Sequence, residues 1–508
     1  MKRLNLILAT IVFLGSFLLY VRTLAPSLLY GDSAEFQTIA YTLGIGHPSG
    51  YPVYILFARL FTLMPIDSVA YRVNLFSAFC AALTVSLVYL SLRKLGAATV
   101  PALCGALIPA LHPLFWKQAS MAEVYTPAVA FLAFLLFSMF KWKETRQPRW
   151  LFAAGMCGGL SLGMHTMVAL AGIPMLLYLL LSTSQHGDWM HAFLGVLAGW
   201  VLFLASFLSL DFLNSPAGYY NAVVRPSLSV WGMTSLDFDS PFERLFFLYF
   251  PPQFKARFFA VSPAEVRMRL TVFLEETSWI FWLAIPGFIS LLIPRRNSVS
   301  HWREAILLLF AVVIFLFFGV TYDVFDFYVY YIPVVLILGL FVGLGVQAIA
   351  ELIASISNLP DLIPLGVSVV ILIVLMQRAG DQISSSWKER MPPGLEDWEV
   401  YLYQFPETRL LQAQQTVSGI EDNAILFTDW DRVYSFYYVT HVLQERTSMS
   451  FHETYPQEGV TSFARSAIEY IEASIDTRPI YFSERPSALS NQFKITRAGS
   501  DLFRIERK

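Results

Sequence analysis

The chain has 508 residues, 56% of them hydrophobic and only 14% charged, with a formal net charge of −2. Soluble domains carry about 25% charged residues, so this composition excludes an ordinary soluble enzyme and indicates a polytopic α-helical membrane protein. The near-neutral charge leaves no footprint for nucleic acid, and Cys80, Cys104 and Cys157 sit in apolar stretches without zinc-type or disulfide-framework spacing.

The N-terminus, MKRLNLILATIVFLGSFLLYVRTLAPS, has an apolar run too long for a signal peptide and a poor cleavage site, so it reads as a retained first span. Further apolar stretches centre on 71–92, 98–116, 122–140, 150–164, 166–182, 191–213, 277–293, 305–321, 328–350 and 362–377, about eleven spans in all. The segment 150–182 is compatible with one long tilted helix or two short ones. Lys2, Arg3, Arg93, Lys94, Lys141, Lys143, Arg146, Arg149, Arg295, Arg296 and Arg303 then all fall on one side, which the positive-inside rule makes cytoplasmic. The stretch 25–70, SMAEVY, the 214–276 loop and TYDVFDFY consequently face outward, as does the C-terminal region.

Composition changes near residue 380. AILFTDW and PIYFSER read as strands, whereas RVYSFYYVTHVLQER and TSFARSAIEYIEAS have apolar positions at helical spacing. Residues 1–380 are therefore expected to form the transmembrane domain and 381–508 a small α/β domain outside the membrane. No internal repeat is visible, which counts against the inverted-repeat transporters.

The chemistry-bearing residues concentrate after the first span, in GDSAEFQTIAYTLGIGHPSGYP. Asp32 and Glu35 are spaced to share one helix face, with Asp32 or Ser33 placed to cap that helix and Gly44 to end it. Taken singly, they are ordinary first-turn acids favoured by the helix dipole. The glycine- and proline-rich GIGHPSGYP follows at once, fixing a backbone shape around His47 and Tyr51, and VYILFARLFTLMP is amphipathic enough to lie along the interface. Other polar residues fall at outer helix ends: Arg72 and Asn74 in AYRVNLF, Glu123 and Tyr125 in SMAEVYTP, His165 in GLSLGMHTM, and Asp323 and Asp326 in TYDVFDFYVYY. Ionisable groups at such depth are costly unless paired or hydrated, so their gathering on one side points to function. Arg225, Lys255, Arg257, Arg267 and Arg269 in the long outer loop have the chemistry to grip a phosphate or simply to face headgroups.

GDSAEF with GIGHPSGYP, then AEVY and GLSLGMH, resembles a multi-pass family first catalogued as a domain of unknown function, which includes a eukaryotic transmembrane protein O-mannosyltransferase. The family's first outer loop commonly reads W-D-x-G-E-F and then G-H-P-P-G-x-P. Here glycine stands for the tryptophan, alanine for the glycine and serine for the second proline, while both carboxylates and the histidine remain. The likeness covers roughly residues 1–180, and the family is similar to the GT-C glycosyltransferases. It implies a polyprenyl-phosphate sugar as donor, transfer to an acceptor hydroxyl on the non-cytoplasmic face of a cell membrane (a bacterial inner membrane is the expectation), and Asp32 as the catalytic carboxylate, acting as general base, with Glu35 beside it. His47, Tyr51, Arg72, Glu123, Tyr125, His165 and Asp323 are the expected donor- or acceptor-binding residues, with or without a divalent metal. The acceptor, whether protein, glycan or lipid, is left open. A transporter or lipid flippase, or a non-catalytic assembly protein, is the alternative.

Overall fold

The computed structural model describes residues 2–293, 301–357, 362–389, 408–456, 462–499 and 501–508. Every apolar stretch read as a span forms helix. Among the described residues, 8 helices are long and apolar enough to cross a membrane, or 9 if the bent pair Thr99–Leu111 and Pro113–Ala119 counts as one span. That pair turns by 66° at His112, which precedes a proline and adopts the extended backbone that proline favours. The count falls below eleven because 150–182 makes two short pieces. Arg149–Ser161 has 13 residues, about 20 Å of helix against a hydrocarbon core of about 30 Å. The chain then unwinds at His165, whose backbone is extended and whose ring accepts a hydrogen bond from the Met167 amide, before Gly172–Ser182 resumes.

Small residues let the short helix pack. A Cβ on Gly155 would lie 2.3 Å from the Ala192 carbonyl, and one on Gly195 only 2.2 Å from that of Phe152. Gly159 and Gly199 repeat the contact one turn on, so the Arg149–Ser161 and His186–Leu213 helices touch backbone to backbone, as small-residue interfaces in membranes do. Gly195→Val is expected to lower the melting temperature in detergent, an overpacking cost of about 1–3 kcal/mol. Gly187→Ala, on the same helix with nothing within 4 Å of its Cβ, should leave it unchanged.

Charges segregate toward one end of the bundle. Glu144 accepts from Lys94 at 2.9 Å and from Lys141 at 2.7 Å, and Arg93 reaches Asn5 on the first helix, so the basic helix ends gather together. Arg295 and Arg296 lie outside the described residues.

The opposite end carries the GDSAEF segment. Its helix, Gly31–Thr42, is capped by the backbone of Tyr30 rather than by Asp32 or Ser33, and it closes at Leu43 in the left-handed region, one residue before Gly44. A buried amide relay anchors the chain entering it: Leu29 N–H donates to Gln37, Gln37 to Asn74, and Asn74 to the Ala25 carbonyl. The amphipathic segment forms the short helix Pro52–Thr62, with Phe57 and Leu60 exposed.

The C-terminal residues build a five-stranded sheet in the order β2-β1-β3-β5-β4, comprising β1 (Ile425–Thr428), β2 (Ser450–Glu453), β3 (Ile480–Phe482), β4 (Phe493–Arg497) and β5 (Phe503–Arg507). The first three run parallel and the last two close antiparallel. Helix Trp430–Tyr437 follows β1 and lies on the Gly31–Thr42 helix. There Thr38 donates to the Tyr434 carbonyl at 3.0 Å, and the Ala70 amide donates to the Tyr438 hydroxyl at 2.9 Å. The domain is thereby seated directly over the candidate site.

Candidate active site

The GIGHPSGYP segment folds back over the Gly31–Thr42 helix. Gly50 N–H donates to the His47 carbonyl and Gly46 N–H to the Gly50 carbonyl, with Gly50 and Tyr51 both at positive φ. A side chain on Gly46 would press to 3.2 Å of Tyr51 and 3.6 Å of Glu35, so glycine there lets the loop close on the carboxylate. His47 is consequently tied to Glu35 twice. Its amide donates to Oε1 at 2.8 Å and its Nδ1 pairs with Oε2. On the other edge of the ring, Nε2 lies 3.0 Å from the Tyr51 hydroxyl. That hydroxyl gives its own proton to the Pro48 carbonyl, so its oxygen is free to accept from Nε2–H. Both ring nitrogens are thus placed as donors, the pattern of a charged imidazolium.

Electrostatics agree. Burial pushes the His47 imidazole down, but the carboxylates of Glu35 and Asp32 more than reverse this and hold it at about 9. Burial likewise pushes the Glu35 carboxyl up, opposed by His47. Glu35 is fully buried, whereas 44% of the Asp32 side chain is exposed. Asp32 therefore faces open space and Glu35 lies beneath the histidine.

That space is a cavity of about 610 Å³ lined by Asp32, His47, Tyr51, Tyr125, His165, Lys255, Asp326 and Tyr330, with a wall of Phe246, Phe250, Phe254, Phe258 and Phe318. The Tyr125 hydroxyl donates to Asp326 at 2.8 Å. His165 packs against Tyr51, Tyr125 and Tyr330, and burial, reinforced by the charge on His47, drives it down to about 3, so it enters the cavity as a neutral imidazole. Asp32 Oδ2 lies 3.8 Å from His47 Nε2, and Oδ1 accepts from the Trp430 indole at 2.8 Å.

Most of the expected residues converge here, and some do not. Glu123 sits behind the Gly31–Thr42 helix, accepting from Ser33 at 3.0 Å, and is not part of the lining. Arg72 is far from the role expected of it, since its guanidinium donates to the carbonyls of Thr62 and Asp67. Asp323 turns toward Arg269 at 3.6 Å and its neighbour Asp326 takes the place in the cavity. Lys255, read only as one of several loop cations, lines the cavity itself. Trp430 was not singled out, and nothing local marks it, because its partner lies 398 residues away. A second cavity of about 290 Å³ opens beyond Trp430 at the carboxyl ends of β1, β2 and β3, lined by Asp429, Asp431, Glu453 and Glu484 among others. Among the described residues no group of three or more His, Cys, Asp or Glu side chains converges as a metal-holding set.

A carboxylate half-open to a cavity, with a partly buried imidazolium beside it and a lysine in the same lining, can take a proton from a hydroxyl while anionic charge is held nearby. Known proteins resemble this chain in sequence and in fold. Residues 32–189 match the family described as Protein O-mannosyl-transferase TMEM260 N-terminal domain. The match starts at Asp32 and contains Glu35, His47, Tyr51, Glu123, Tyr125 and His165, so the resemblance read from the motifs is to this same family. The mouse Protein O-mannosyl-transferase TMEM260 is 32% identical over 182 residues, covering 34% of this chain and 26% of the mouse protein. The Dictyostelium discoideum tmem260 protein is 25% identical over 140 residues, 27% of this chain and 17% of its own length. The chain thus spans only about a quarter of the mouse relative and less of the other. Among solved structures, ArnT from Cupriavidus metallidurans bound to undecaprenyl phosphate superposes with a TM-score of 0.60 at 14% identity, over 99% of this chain and 97% of that one. Its apo state gives 0.58 at 13% identity. The chain has this fold, the GT-C-like membrane architecture that the resemblance implied, followed by the small C-terminal sheet domain expected from the change in composition.

Proposed function

We propose that the protein is a glycosyltransferase that moves a sugar from a polyprenyl-phosphate carrier to an acceptor hydroxyl, with Asp32 as general base. The observation that carries this reading is the half-exposed Asp32 carboxylate facing a cavity that Lys255 and a group of phenylalanines also line. Matched relatives named as protein O-mannosyl-transferases and a full-length fold match to a protein bound to undecaprenyl phosphate support it. The basic helix ends lie away from the site, which supports a non-cytoplasmic active face.

The reaction follows from the placement. The apolar tail of the donor lies along the phenylalanine wall, and its phosphate sits near Lys255, with the neutral His165 imidazole able to donate a hydrogen bond. Asp32 Oδ2 removes the acceptor proton as that oxygen forms its bond to the anomeric carbon. The anomeric C–O bond breaks, its electron pair leaves on the carrier phosphate, and Lys255 offsets the charge developing there. One displacement inverts the anomeric centre.

The test is to incubate the purified full-length protein with a panel of polyprenyl-phosphate sugars, mannose included. Released carrier phosphate and acceptor-linked sugar are then followed together. One sugar should be transferred with inversion, and Lys255→Ala should slow its transfer about tenfold or more, the loss of a charged contact to phosphate. Carrier phosphate that is never released above background with any sugar would refute the reading.

A further inference from the structure

We infer that Trp430 of the C-terminal domain is a positioning residue that fixes Asp32 for proton transfer, so the active site is complete only when that domain is seated. The inference rests on the general-base reading of Asp32 and extends it to a part of the chain outside the matched family segment.

Placement of the indole is over-determined. It begins the helix that leaves β1, and the Asp429 cap before it accepts from the Arg432 amide at 3.1 Å. Edge-on packing against His47, Tyr219 and Tyr434, with ring centroids 5.8, 6.0 and 5.3 Å away, fixes the plane. The Nε1–H therefore points at Asp32 Oδ1 along one direction, at 2.8 Å. Indole nitrogen is a donor only, and its N–H does not ionise near neutral pH. It occupies Oδ1 permanently without competing for the acceptor's proton, which leaves Oδ2 as the basic oxygen. Asp32 lies in the first turn of its helix and makes no capping bond there. Without the indole, its carboxylate is free to rotate toward His47 Nε2, only 3.8 Å from Oδ2, and turn its basic lone pair away from the cavity. Correct orientation of a reacting group is a large part of what a site contributes.

The experiment compares Trp430→Phe, Trp430→His, Tyr438→Phe and Asp32→Asn in the full-length protein. Trp430→Phe keeps a ring in the aromatic cluster and removes only the N–H. It should lower kcat about 10- to 100-fold, the loss of a hydrogen bond to a charged group, with donor KM within twofold. Histidine Nε2 occupies the same ring position relative to Cβ as the indole nitrogen, so Trp430→His should recover most of the loss. Tyr438→Phe removes a docking bond far from Asp32 and should change kcat less than threefold. Wild-type kcat in Trp430→Phe, or equal losses in Trp430→Phe and Tyr438→Phe, would overturn the inference by showing either no role or a role in docking alone. An active Asp32→Asn would instead overturn the general-base reading, and this inference with it.

Discussion

Asp32→Asn should abolish transfer, with kcat falling by about 10²–10⁴, the contribution of a well-placed general base, while the protein folds and binds its donor as before. The substitution is nearly isosteric. The asparagine carbonyl can still accept from the Trp430 indole now 2.8 Å from Oδ1, so the seating of the C-terminal domain is retained. An amide has no basicity to remove an alcohol proton at neutral pH, and no other cavity carboxylate stands in the same position. Asp326 is engaged by the Tyr125 hydroxyl, and burial pushes its carboxyl up. Asp326→Asn should therefore act mainly on binding and cost much less in kcat. Labelled sugar transfer under saturating donor, alongside a melting curve for each variant, makes the comparison. Transfer in Asp32→Asn within tenfold of wild type at equal stability would remove this residue from the chemistry and leave Asp326 as the carboxylate to test next.

Much of this arrangement was legible in the sequence because its signals are local. Span-length apolar stretches report directly on helices, and a carboxylate pair followed by a glycine- and proline-rich loop around a histidine reports a constrained site. Long-range geometry was not legible. Asp323 and Asp326 sit in one octapeptide, and only the turn into the 3₁₀ segment Phe327–Tyr331 decides which carboxylate enters the cavity. Arg72 is expected from the sequence to bind donor or acceptor, but the end of the Pro52–Thr62 helix leaves a carbonyl at Thr62, with another at Asp67, that its guanidinium satisfies. The antiparallel β4–β5 pair was missed because FKITR and FRIER mix charged side chains with their apolar residues, which weakens the apolar signal on which strand reading depends. Trp430 is the extreme case, a contact created by the docking of one region on another.

Glu35→Ala should be the most destabilising single change in the site. It removes the buried partner of a charged imidazole, and breaking a buried ion pair costs about 3–5 kcal/mol because the remaining charge is left unpaired. Transfer should fall with it, since the loop bearing His47 and Tyr51 is held through Glu35. Glu35→Gln separates the two effects. Its amide oxygen can still accept from the His47 amide, so the loop stays placed, but the negative charge that holds the imidazole up is gone. The pH dependence then has a definite sign. His47 stands at about 9 in the folded protein against an ordinary 6.5, so the stability it contributes is complete below about 6.5 and fades as pH rises through about 9. With the carboxylate neutralised, the imidazole loses its proton at lower pH, so in Glu35→Gln the alkaline loss of stability should be smaller and end at lower pH, and transfer should fall off at lower pH. Melting curves from about pH 6 to 10 for wild type and Glu35→Gln read this directly. Superimposable profiles would mean that His47 carries no charge in the folded protein and that Glu35 acts only through its bond to the backbone amide.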